Sequence, residues 1–160
     1  MIIAVGLFAT SVTVIIALLP SLARQRAESA DLLAAQRLPD ALRVELSRLA
    51  ATGGFDLLTG QAPPVSSPLP AGLALVADRD AARLHSRDYL PPATAQLSES
   101  DQYFLIECWR FADEPLRFDG QKSFLALTVR ASWPYRTPGV AAPSAESARS
   151  CFVFTIAINR

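Results

Sequence analysis

Charge is absent from residues 1–23 of this chain, and the residue types most used in catalysis are scarce in the rest. Among 160 residues there is one histidine, His85, and there are two cysteines, Cys108 and Cys151. These three residues do not have the spacing of a zinc site. There is also no Walker loop, no GxGxxG motif and no GxSxG motif. We therefore expect no enzyme activity, no metal and no cofactor.

The sequence also has no excess of charge of either sign. Lys and Arg total 15, Asp and Glu total 15, and Lys122 is the only lysine. Proteins that bind nucleic acids carry a basic patch or stripe, which is missing here. We therefore expect no nucleic-acid partner.

What the first 23 residues do contain is a nearly continuous apolar run, MIIAVGLFATSVTVIIALLPSLA. A helix that crosses a bilayer needs roughly 20 such residues. No basic residue precedes Arg24, and the run is longer than the apolar core of a cleaved signal peptide. We therefore predict an uncleaved helix over residues 1–23 that enters a membrane or packs against copies of itself.

Residues 24–52 continue as a charged, amphipathic helical pattern. Their apolar residues recur at spacings of three and four, which places them on one helix face. Pro20 and Pro39 each predict a kink or a break, so one long kinked helix and two consecutive helices are both possible. Gly53 and Gly54 predict the helix end. The apolar face consists of Ala27, Ala30, Leu33, Ala34, Leu38, Ala41, Leu42, Leu46 and Leu49.

The remainder of the chain predicts a loop followed by β-structure. Residues 53–72 contain four prolines and several glycines, which is typical of a linker. Residues 73–160 form the predicted sheet domain, with three or four antiparallel strands whose apolar face the amphipathic helix covers. The fold class is therefore α+β. The stronger predicted strands are 103–111, 124–133 and 151–159, and 73–77 is a short candidate strand for which 81–84 is a candidate hairpin partner.

The two cysteines allow two interpretations. If the sheet domain is exported, Cys108 and Cys151 could form a disulfide that closes a loop of about 40 residues and contributes roughly 3–4 kcal/mol. Alternatively both are buried free thiols, since cysteine is among the most buried residue types. Strand alternation does not decide between these interpretations.

The N-terminal run MIIAVGLFATSVTVIIALLP resembles the helix of type IV pilins and pseudopilins. In that family a basic leader ends in glycine, a Phe-Thr-Leu-x-Glu-Val-type motif follows, and residues 1–9 look like the continuation after it. Either the leader, the glycine and the glutamate are encoded upstream of Met1 in the gene, or the chain is not processed as a prepilin. The C-terminal CFVFTIAINR is similar to the last strand of certain pilin-like cassette proteins of Verrucomicrobia-type bacteria.

The resemblance implies a long N-terminal helix, transmembrane in its first half, packed on an antiparallel sheet. It further implies a minor pilin or pseudopilin-like subunit that assembles with other pilin subunits into a type IV pilus or a type II secretion pseudopilus. Small residues such as Ala4, Gly6 and Ala9 allow close helix approach in lipid. The residues that we expect to pack in the assembly are Ile3, Ala4, Gly6, Leu7, Phe8 and Pro20.

The family also implies a location. Its members are single-pass proteins of the bacterial inner membrane whose C-terminal domain is periplasmic or extracellular. Arg24 and Arg26 alone, by the positive-inside rule, would place that domain in the cytoplasm; we follow the family. The alternative function is a single-pass, membrane-anchored exported domain that binds a partner or ligand as a monomer.

Overall fold

The computed structural model describes residues 2–66, 71–87, 97–120, 122–137, 139–140 and 142–159. Within these ranges it leaves out the side chains of residues 2–11, 14, 52, 53 and 57. The chain divides into two compact units, Met1–Leu33 and Ala34–Arg160. The first unit is helical and the second combines helices with an antiparallel sheet, which confirms the α+β class.

Three α-helices form in the first 61 residues: α1 (Ile2–Ala35), α2 (Leu38–Leu49) and α3 (Phe55–Gln61). Helix α1 continues through Pro20 without a break. A turn at Gln36 and Arg37 then separates α1 from α2, and the Arg37 amide donates to the Ala34 carbonyl at 3.0 Å. Pro39 lies in the first turn of α2, where a missing amide costs no helical hydrogen bond. Of the two predicted possibilities, two consecutive helices is therefore confirmed.

The prediction that helical structure ends at Gly53 and Gly54 is wrong. A π-helical segment, Ala50–Gly54, joins α2 to α3, so the predicted linker over 53–72 contains a helix. A Cβ atom at Gly54 would lie 2.8 Å from the carbonyl oxygen of Leu49. Glycine is needed here because the widened turn brings that carbonyl against residue 54, and not because the helix stops. Residues 67–70 of the predicted linker lie outside the described part of the chain.

The sheet has five antiparallel strands, whereas we predicted three or four. The candidate hairpin partner at 81–84 does form a strand, but later in the chain, at Leu84–Ser86. Ala81 has φ of 55° and its amide donates to the Asp78 carbonyl at 3.1 Å, so it belongs to the turn. The strands are β1 (Leu73–Ala77), β2 (Leu84–Ser86), β3 (Phe104–Arg110), β4 (Phe124–Trp133) and β5 (Ser150–Asn159), in the order β2-β1-β3-β4-β5.

One face of this sheet forms the core together with α2 and α3. On β4 the residues of this face are Leu125, Leu127, Val129, Ala131 and Trp133, which are all buried. Helix α2 covers this inner face with four buried leucines, each contributing about 1.5–3 kcal/mol. The covering helix residues are Leu38, Leu42, Leu46 and Leu49 of α2 and Ala35 at the end of α1.

The predicted apolar helix face extends too far toward the N-terminus. Ala27, Ala30 and Leu33 are exposed, so the buried face begins at the end of α1. We also predicted that the first half of the N-terminal helix crosses a membrane. Among the residues that the structure describes, no helix is both long enough and apolar enough to do so.

Candidate functional site

The most unusual surface of the described chain is the apolar part of α1. From residue 15 to residue 30 every residue of this helix is exposed. Five of these residues are large and apolar, with between 52% and 60% of their surface exposed. They are Ile15, Ile16, Leu18, Leu19 and Leu22.

These five side chains have a defined position around the helix. At 100° per residue they fall within an arc of about 160°. Small residues, Ala17, Pro20 and Ser21, occupy the rest of the circumference. The Ser21 hydroxyl donates to the Leu18 carbonyl at 2.7 Å, so it is satisfied within its own helix. This stretch therefore presents large apolar residues on one side of the helix and small residues on the other.

The apolar surface ends at Arg24. The Arg24 guanidinium lies 3.0 Å from the Glu28 carboxylate, one helical turn further on, and both side chains are well exposed. Such a pair contributes little to stability. Its position nevertheless marks a boundary, since the helix is uncharged before it and charged after it.

The residues predicted to pack in an assembly all lie on this one helix. Pro20 is an exposed part of α1, beside the apolar arc. The other five occupy its first turns, and their side chains lie outside the described part of the structure. The structure therefore places Ile3, Ala4, Gly6, Leu7, Phe8 and Pro20 on a common helix, and their packing stays a prediction.

Of the two interpretations of the cysteines, the structure shows no disulfide: Cys108 and Cys151 are both free thiols. Cys108 pairs with Val129 on the inner face of the sheet, whereas Cys151 pairs with Ser132 on the outer face. Strand β4 also separates the two. Cys108 is buried, and burial raises its pKa to about 12, with a smaller contribution from Glu107. Cys151 is exposed, so the interpretation as two buried thiols is half correct.

The single histidine lies beside a groove between α2 and β2. His85 is part of β2 rather than a loop, and no hydrogen-bond partner of its buried Nδ1 atom is found in the described chain. The groove measures about 670 Å³ and has charges of both signs. Among the described residues no group of three or more metal-ligating side chains occurs. The side chains that line the groove include Asp40, Val44, Glu45, Arg48, Arg83 and His85.

The outer face of the sheet holds a polar and aromatic cluster that the sequence analysis missed. Arg87, Arg136 and Arg149 lie with their guanidinium carbons 5.0–5.9 Å from the centre of the buried Tyr135 ring. Arg130 lies 5.5 Å from the centre of the Trp109 ring. The alternation in β3 and β4 is the signal that could have located part of this cluster, because it puts polar residues opposite the apolar face. Trp109 and Tyr135 are both buried, so these rings also pack within the sheet unit.

Comparison of the chain with protein-family models, with curated proteins and with solved structures finds no match. The functional argument therefore rests on the residues and the geometry described above.

Proposed function

We propose that this protein is a structural subunit that assembles with pilin-like subunits through α1, as a minor pilin or pseudopilin does. The assembly would be a type IV pilus or a type II secretion pseudopilus. The observation that supports this proposal is the exposed apolar arc of α1. Residues 15–23 of this helix carry no charge on any side, and a helix without a charged face is usually buried in a larger assembly or in a membrane.

The driving force follows from the exposure of these side chains. Each of the five is about half exposed, so covering it in an assembly stabilises association by about 1 kcal/mol. In lipid that term vanishes, and close packing of small residues takes its place. Ala17 and Pro20 lie on the side of the helix that has small residues, where they would let a neighbouring helix approach closely.

In this proposal a membrane holds the subunit before assembly. The chain would be a single-pass protein of the bacterial inner membrane with its sheet unit on the periplasmic or extracellular side. The charge boundary at Arg24 and Glu28 would lie where the helix leaves the apolar environment. The role requires no catalytic residues, since the chemistry is association alone.

A pair of helix variants tests the proposal. A photo-crosslinking residue at Leu19 reports contacts between copies in bacterial membranes. We expect crosslinked dimers and larger species, and we expect Ile16→Arg to remove them because it puts a charge in the apolar arc. Gln25→Arg, on the charged side of the boundary, should leave them unchanged. Absence of crosslinks in the chain that carries only the Leu19 probe would contradict assembly through α1.

The gene supplies an independent test. An in-frame sequence upstream of Met1 that encodes a basic leader, a glycine and a Phe-x-x-x-Glu-type motif would support prepilin processing. A stop codon immediately upstream would argue against it.

The groove beside His85 favours the alternative function, a membrane-anchored exported domain that binds a partner or ligand as a monomer. A cavity of about 670 Å³ is large enough for a small ligand. Val44→Arg would fill this groove without touching the inner face of the sheet. If Val44→Arg abolishes binding of a partner or ligand while crosslinking at Leu19 persists, that binding depends on the groove and not on α1.

A further inference from the structure

Strand β5 forms one edge of the sheet and has an unusual composition for that position. It spans ten residues, Ser150–Asn159, and contains neither a charged residue nor a proline. Its hydrogen-bonded neighbour in the sheet is β4, along its full length. Across the described part of the chain, no backbone hydrogen bond from a loop reaches β5. Its second edge therefore offers a row of amides and carbonyls for pairing.

Proteins normally protect such an edge with charge, proline, bulges or short length. The opposite edge of this sheet follows that rule, since β2 has only three residues. Both strands are flanked by arginines in the sequence, but within its ten residues β5 has no charge and no proline, and it is not short. Its outward residue Val153 is 57% exposed, and the alternate residues Phe152 and Phe154 are only half-buried on the inner face.

We propose that β5 pairs, antiparallel, with β5 of a second copy of this chain, joining two five-stranded sheets into one. An uncharged strand has no ion pair to offer a charged peptide, and it meets no like-charge repulsion when it faces itself. The strand can therefore face a second copy of itself without an electrostatic penalty. The pairing is an isologous contact, in which each copy contributes the same surface.

The register follows from the side-chain faces. A twofold axis perpendicular to the sheet keeps the inner faces of both copies on the same side. At this axis one residue of β5 lies directly opposite the same residue of the second copy. With the axis at Thr155, Phe154 lies opposite Ile156 of the second copy, and Phe152 lies opposite Ile158. Every apolar inner-face residue then gains an apolar cross-strand partner, the favourable aromatic and β-branched combination. An axis at Phe154 would instead oppose Ser150 to Ile158, which is a poorer match.

This contact belongs to the sheet unit and does not rest on assembly through α1. The two interactions can therefore be separated by experiment. Where copies are already gathered in one membrane, the raised local concentration would favour the β5 contact further.

A disulfide at the axis tests the pairing in the full-length protein. In a Cys151→Ser background, Thr155→Cys puts two thiols opposite each other, and we expect oxidation to form a disulfide dimer at least tenfold faster than random collision. The control is Val44→Cys in the same background, which measures the rate of random collision. Val44 lies on α2 and is 69% exposed. Adding Ile16→Arg to both variants removes the α1 contact. The proposal predicts that the Thr155→Cys advantage survives this change.

Equal oxidation rates for the two cysteine variants would overturn the proposal, whatever happens at α1. A second readout uses the unmodified cysteines. Hydrogen exchange of the β5 amides should slow at least tenfold as protein concentration rises, and Thr155→Lys should abolish this dependence by opposing two positive charges. Thr155→Val, which keeps the strand uncharged, should retain it. Exchange that is independent of concentration in the Thr155→Val protein would likewise overturn the pairing.

Discussion

Arg130 and Glu107 lie directly opposite each other on β4 and β3 and form an ion pair on the outer face of the sheet. The Nε and Nη2 atoms of Arg130 donate to Oε2 of Glu107 at 3.2 and 2.7 Å. Burial lowers the pKa of the guanidinium, but the hydrogen bonds and charges of Glu107 and Glu146 outweigh it and raise that pKa. The Glu107 side chain is 17% exposed and that of Glu146 is 71% exposed, so one arginine has a shielded and a solvated partner.

Glu107→Gln should lower the free energy of unfolding by about 1–2 kcal/mol, because it removes a charge-assisted hydrogen bond from a shielded site. Glu146→Gln, which affects the same arginine from solvent, should change it by less than about 0.5 kcal/mol. Urea denaturation of both variants measures the difference. Equal losses would mean that shielding does not determine the strength of these pairs.

Gly54→Ala should destabilise the protein by about 1–3 kcal/mol, because its Cβ would meet the Leu49 carbonyl oxygen at 2.8 Å. Gly60→Ala is the matched control in α3, where a Cβ meets nothing within 4 Å. It should stabilise by about 0.5–1 kcal/mol through the lower conformational entropy of the unfolded chain. Thermal unfolding followed by circular dichroism compares the two, and a neutral Gly54→Ala would argue against the tight turn.

Leu42→Ala should cost about 2–5 kcal/mol, because this side chain is fully buried between α2 and the sheet. Val44→Ala, two residues along the same helix but 69% exposed, should change stability by less than about 0.5 kcal/mol. Denaturant titrations of both variants check the burial of the helix face. A similar cost at the two positions would mean that α2 does not cover the sheet in this orientation.

The two cysteines should differ sharply in reactivity. At pH 8 a thiol reagent should modify the exposed Cys151 within minutes and leave Cys108 unmodified until the protein unfolds, as mass spectrometry of digested samples would show.

The pKa of Cys108 is raised from 9.0 to about 12 by burial, so the unfolded chain loses this proton first. The resulting stability is fully present below pH 9 and is lost as pH rises toward 12. Cys108→Ala should therefore flatten the decline of stability in that window.

Much of the sheet unit could be predicted from alternation alone. The bounds of β1 and β4 agree with the prediction, β5 begins one residue earlier, and β3 is one residue shorter at each end. Alternation is most informative in β5, where Ile156 and Ile158 on the inner face are buried and Val153 on the outer face is exposed. The hairpin return was displaced because the conformation of Ala81 depends on its local turn, which residue type alone does not specify.

Other features depend on tertiary geometry that a linear pattern does not contain. Adjacent glycines usually mark a helix end, yet here Gly54 permits a wider helical turn. The state of the two cysteines could not be decided from the sequence for a similar reason, since a disulfide depends on both the strand order and the face of each residue. For the assembly surface, the sequence predicted the apolar helix, and the structure adds which of its described side chains are exposed.

The π-helical segment Ala50–Gly54 also constrains how the length of this chain can vary. A π turn contains one residue more than an α turn closing the same loop. Removing a single residue from the segment would convert it to a regular α turn that closes the same loop, so the helix after it would keep its direction. Phe55 and Leu58 would then stay in the core, where they are buried now. A deletion of one residue should therefore be tolerated between Leu49 and Phe55, whereas the same deletion inside α2 would rotate the rest of that helix by about 100°.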